Sequence, residues 1–185
     1  MLPRRTLNIP VSITGWLLAW FGLSSSMVAT VHRHLHFLRK PSMNRKNSVE
    51  IVEHFWKAVW QSRNPDAVDD LVTEDFTITS GGIDIHTRAE FKKWVAAFLA
   101  SITDFEFHVV ETFQNETGDR VASRWRITGK NNGFMGLEPC QTPFEMTGTA
   151  IWQVREDGLL QHNWVERNAL EVHRQVTAAA AARAG

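Results

Sequence analysis

Hydrophobic residues recur at helical spacing in the first half of the sequence and alternate with polar ones in the second. In "SVEIVEHFWKAVWQSRN", Val49, Val52, Trp56, Val59 and Trp60 form one stripe. Ser48 stands at the N-cap, and Glu50 and Glu53 follow where the helix dipole favours carboxylates. "NPDAVDDLV" predicts a short second helix, with Asn64 as cap and Pro65 at the first helical position. "DFTITSGGIDIH" reads as two short extended pieces about a Gly-Gly turn. "TRAEFKKWVAAFLASI" is a further helix, with Thr87 and Glu90 as a capping box and an apolar stripe through Phe91, Trp94, Val95, Phe98, Leu99 and Ile102.

Beyond this helix the period changes to two. "DFEFHVVETFQ" sets Phe105, Phe107 and Val109 on one side and Glu106 and His108 on the other. "VASRWRITG", "FEMTGTAIWQV" and "LLQHNWVERNAL" continue the alternation, separated by the turns "NETGDR" and "REDG" and by the loop "KNNGFMGLEPCQTP". Strands in succession joined mostly by short turns imply an antiparallel meander. "ALEVHRQV" is placed to close the chain as a helical turn, and the low-complexity residues 177–185 are expected to be a disordered tail. The expected class is α+β: a cone-shaped, curved antiparallel sheet wrapped around N-terminal helices, with no internal repeat.

Strict alternation along "LLQHNWVERNAL" puts His162, Trp164, Glu166 and Asn168 on a single face. These four make a poor apolar core and a plausible wall for a small-molecule pocket. With Trp56 and Trp125 from the aromatic interior, and with Asp84 and His86 beside the Gly-Gly turn, they are the candidate site.

The chain of 185 residues fits one domain with some surplus. That surplus is residues 1–42. Arg4 and Arg5 precede an uncharged apolar run and then "SSSMVA", so this leader reads as a secretory signal, a membrane anchor, or the product of a start assigned upstream of Met43. His32, His34 and His36 lie there and are read as incidental. Residues 43–176 form the domain, expected in the cytoplasm, or exported or anchored if the leader is genuine.

The formal net charge of zero argues against nucleic acid as the main partner. Tyrosine is absent, which excludes any mechanism needing a phenol. The lone Cys140 has no adjacent histidine and is read as inert.

Taken together, "FWKAVWQSRNPDAVDDLVTEDF", "GDRVASRWRITGKNNGFMGLEP" and "MTGTAIWQVREDGLLQHNW" resemble the nuclear-transport-factor-2-like superfamily, and within it the SnoaL-like, polyketide cyclase-related group. The resemblance implies an apolar cavity and cofactor-independent proton transfer on a carbonyl compound, with no metal. It also implies a homodimer formed through the outer sheet face, where Glu106, His108 and Glu111 would lie.

The cyclases carry their carboxylate a few residues beyond the last-strand tryptophan, where this chain has Asn168. On this reading Glu166 replaces it as acid-base, His162 assists and Asn168 donates to a developing enolate; Trp164, Trp125, Trp56, Asp84 and His86 bind substrate. Tyrosine-dependent isomerase and dehydratase sites do not fit, nor does an Asp-Arg-Asp epoxide hydrolase site, since the candidate strand reads "RWR". The alternative is a non-catalytic binding module for a hydrophobic metabolite.

Overall fold

The computed structural model describes residues 47–184. The readings of the leader, including its three histidines, lie outside the described residues.

The domain opens with α1 (Ser48–Phe55), which continues into a π-helical segment, Trp56–Gln61. Asn47, rather than Ser48, is the N-cap: its side chain accepts from Val49 N at 3.2 Å. Ser48 lies one residue inside and its hydroxyl donates to Gly118 O. In the π segment and just beyond it, backbone bonds span five residues, as in Ser62 N to Lys57 O and Asn64 N to Val59 O. Trp56, Val59 and Trp60 are all buried. Such wide turns are frequent at functional sites, and this one supplies two of the interior tryptophans.

A 3₁₀ turn, Pro65–Ala67, runs into α2 (Val68–Leu71), with Asn64 capping as expected. β1 (Val72–Ser80) and β2 (Ile83–His86) form a hairpin. Gly81 and Gly82 turn it at φ of 60° and 77°, a conformation that side chains with a Cβ resist. In α3 (Arg88–Ala100), Thr87 Oγ1 accepts from Glu90 N at 3.3 Å, while the Glu90 carboxylate turns to Lys93. The meander follows as β3 (Ile102–Gln114), β4 (Arg120–Asn131), β5 (Pro143–Val154) and β6 (Leu160–Arg167).

α4 spans Ala169–Ala184 and buries Val172 and Val176. It therefore runs through most of the segment expected to be a disordered tail; alanine is the strongest helix former, so the composition that suggested fraying sustains the helix.

The six strands form one sheet in the order β2-β1-β6-β5-β4-β3. Every pair is antiparallel except β1–β6, which is parallel and brings the early hairpin beside the last strand. The sheet curls around α1 and α3 without closing. Its inner face presents Phe76, Phe107, Trp125, Met146 and Trp152 to Phe55, Trp56, Phe91 and Val95. Trp152 lies at the centre, 4.7 Å from Phe55 and 5.1 Å from Trp56 between ring centroids. Truncation of such a fully buried indole to alanine costs about 3–5 kcal/mol.

Candidate functional site

The inner face of β6 is Leu160, Asn163, Val165 and Arg167, not the row that strict alternation picks out. The cause is local. Gln153 pairs with His162, but the next residue of β5, Val154, pairs with Leu160, so Gln161 is an extra residue in the ladder. One inserted residue turns every later side chain to the opposite face.

His162, Trp164 and Glu166 consequently lie on the outer face, with Trp164 36% exposed. Asn168 is exposed as well and serves the backbone. Its Oδ1 accepts from Thr147 N at 2.9 Å, and its carbonyl accepts from Val172 N to start α4. The expected grouping of Glu166, His162 and Asn168 inside the cavity is thus corrected.

Of the expected binding residues, Trp56 and Trp125 do line the interior. Asp84 and His86 do not; they sit on exposed β2. There they meet the displaced row. Thr79 Oγ1 donates to Asp84 Oδ1 at 2.6 Å and contacts His162 Nε2 at 2.9 Å, while Thr77 Oγ1 contacts His86 Nδ1 at 3.2 Å. Because the Thr79 proton goes to the carboxylate, His162 Nε2 carries a hydrogen and donates it. The His162 ring stacks on Trp164 at 3.8 Å, and burial holds its pKa below the ordinary histidine range.

The interior hollow measures about 30 Å³ and is lined by Trp56, Trp60, Ile78, Trp94, Phe98, Phe107, Trp125, Ile127, Asn163, Val165 and Arg167. Its polar groups are few and mostly unpartnered. Trp56 Nε1 donates to Ser123 Oγ at 3.0 Å. Trp60 Nε1, Trp125 Nε1 and Asn163 Oδ1 are buried and have no hydrogen-bond partner among the described residues. Asn163 is only 3% exposed, so its amide dipole faces an apolar surround.

At the rim, the Arg167 guanidinium lies 5.7 Å from the Trp94 ring centre and 5.8 Å from that of Phe98. Burial lowers the Arg167 pKa, and the nearby Glu166 charge opposes that effect. Arg124 and Arg126 pair with Glu111 and Glu145. Among the described lining residues there is no carboxylate and no imidazole.

A larger open cleft of about 670 Å³ lies against the start of α1 and the β3–β4 and β5–β6 turns. Its charges are matched locally, Arg120 with Asp119 and Arg155 with Asp157, so it is the weaker candidate. No cluster of three or more potential metal ligands occurs among the described residues. No helix among them is long and apolar enough to cross a membrane.

Cys140 is half-buried and has two polar neighbours where an adjacent histidine is lacking. The Thr142 hydroxyl, and next the Asn131 amide, bring its pKa down to about 7.

Asn163 and Arg167 are the functional candidates that strict alternation hides. A legible signal existed in the pairing of strands. Trp152, Ala150 and Gly148 of β5 face inward, and their partners are Asn163, Val165 and Arg167.

A curled, unclosed sheet around α1 and α3 defines the ketosteroid isomerase-like, nuclear-transport-factor-2-like class of α+β domains. Residues 52–163, more than half the chain, match the SnoaL-like domain, and the chain belongs to that family. No protein of curated function matches it by sequence.

Among solved structures, a provisionally assigned SnoaL-like polyketide cyclase from Jannaschia sp. CCS1 is similar at 18% identity and a TM-score of 0.67, over 76% of this chain and 98% of that one. A second provisionally assigned polyketide cyclase, from Xanthomonas campestris pv. campestris, is 21% identical with a TM-score of 0.63, over 72% and 99%. A protein of ketosteroid isomerase-like fold from Catenulispora acidiphila DSM 44928, solved with trimethylamine, is 22% identical with a TM-score of 0.57, over 68% and 91%. At these identities the likeness carries the fold alone.

Proposed function

We propose that the domain holds a small hydrophobic molecule against Trp94 and Phe98, in the surface groove of about 300 Å³ beside the interior hollow, without transforming it. One observation carries this reading: the inner face of β6 offers an amide, a valine and a guanidinium where proton transfer would need a carboxylate or imidazole. Aromatic walls with a few convergent polar groups suit ligand recognition. Relatives named polyketide cyclases favour turnover of a carbonyl compound as the second reading.

The two readings separate in one experiment. Tryptophan fluorescence is titrated with apolar aromatic and acyl compounds, and each compound is then recovered and weighed by mass spectrometry. Binding with unchanged mass supports the binding module; a cyclised or dehydrated product refutes it.

The outer face supports pairing of two copies. Phe113, Ala122, Ile151 and Trp164 are consecutive partners across four strands, with Phe113 57% and Ile151 45% exposed.

A further inference from the structure

A groove of about 300 Å³ on the surface, lined by Trp94, Ala97, Phe98, Ser101, Phe134, Met135, Arg167 and Ala169, shares three residues with the interior hollow. Trp94, Phe98 and Arg167 form the wall between the two. The guanidinium therefore lines both the groove and the hollow.

Arg167 differs from its neighbours in charge pairing. Arg88, Arg120, Arg124, Arg126 and Arg155 each contact a carboxylate. The Arg167 side chain has no hydrogen bond or ion pair with a described residue, and it rests against aromatic faces and near the Glu166 charge. A largely desolvated guanidinium without a carboxylate leaves a five-donor fork unused, and that fork matches a carboxylate in a two-point geometry. Deeper in, Asn163 Oδ1 and the indole nitrogens of Trp60 and Trp125 are also unpartnered. The nearly fully buried Asn163 is the second sign of a site built for an occupant rather than a packed core.

We propose that the pocket selects an apolar carboxylic acid in its anionic form, with the carboxylate on Arg167 and the apolar body against Trp94, Phe98 and the adjoining hollow. This rests on the binding reading above and names its ligand class. A hydroxyl or carbonyl further along the ligand would reach the two indole N–H groups and the Asn163 amide. Neutral apolar molecules of the same shape would fill the same space but leave the guanidinium unpaired.

The test uses isosteric pairs on the full chain: 2-naphthoate against 2-naphthalenemethanol, and octanoate against octanol, by calorimetry at pH 7.5. The acid of a pair should bind roughly tenfold or more tightly than its alcohol, as expected for a charge-assisted contact. Arg167→Met should abolish that preference, and Arg167→Lys should restore part of it. If acid and alcohol bind the wild type equally, anion selection is overturned and the binding module stands. If none of the four binds, both fall. The wild-type comparison decides the question even where a variant fails to fold.

Discussion

The Trp125 indole occupies the space where a Cβ on Gly148 would stand, directly across the β4–β5 ladder. Glu166 O closes the same space from β6, at 2.7 Å from that position. Gly148, the ladder partner of Arg167, is what leaves room for this large ring. Gly148→Ala should force Trp125 from its place and destabilise the domain by about 1–3 kcal/mol, the usual range for overpacking. Urea midpoints and the shifted indole fluorescence of the variant would check it.

Glu166 stands on the face away from the hollow. Glu166→Gln should leave the binding of an apolar carboxylate within about twofold of wild type, whereas Asn163→Leu, which fills the polar end of the hollow, should weaken it roughly tenfold. Parallel calorimetric titrations separate these outcomes.

His162 gives the stability a pH dependence of definite sign. Burial lowers its folded pKa, Asp84 opposes the shift, and His86 and Arg120 add to it. The unfolded chain therefore takes up the proton first as pH falls below the ordinary histidine value. This contribution is neutral above that value and turns unfavourable below it. The urea midpoint should fall between pH 7.5 and pH 5, and His162→Gln should flatten that fall.

The Cys140 thiol, brought to about pKa 7, should react with iodoacetamide at a rate that rises through pH 7 rather than through the range of a free thiol. Thr142→Val removes the principal hydrogen bond and should move the midpoint upward. A midpoint left in place would exclude Thr142 as the cause.

If two copies pair through the apolar row, where Ile151 is exposed within one copy, Ile151→Glu should convert the dimer to monomer and make the unfolding midpoint independent of protein concentration. Sedimentation velocity reads the change directly.

Element types were readable because the patterns are strong. The Phe91–Leu99 stripe, the Asn64-Pro65 start and the Gly81-Gly82 turn each carry a local physical instruction. The aromatic interior was equally readable from Trp56, Phe107 and Trp125. Three things depend on contacts remote in sequence: the parallel union of β1 with β6, the π turn at Trp56–Gln61, and the face to which β6 turns. The last decides the chemistry, and it follows from how Val154 and Leu160 pair across the ladder rather than from the alternation of "LLQHNWVERNAL".

Gln161 thus acts as a frame offset written into protein rather than message. Excising that single codon would set Leu160 and His162 on successive rungs of an unbroken ladder, with Asn163, Val165 and Arg167 still turned towards the tryptophans. One deletion would thus straighten this edge for a lineage, or a laboratory, without exchanging the side chains it offers to the interior.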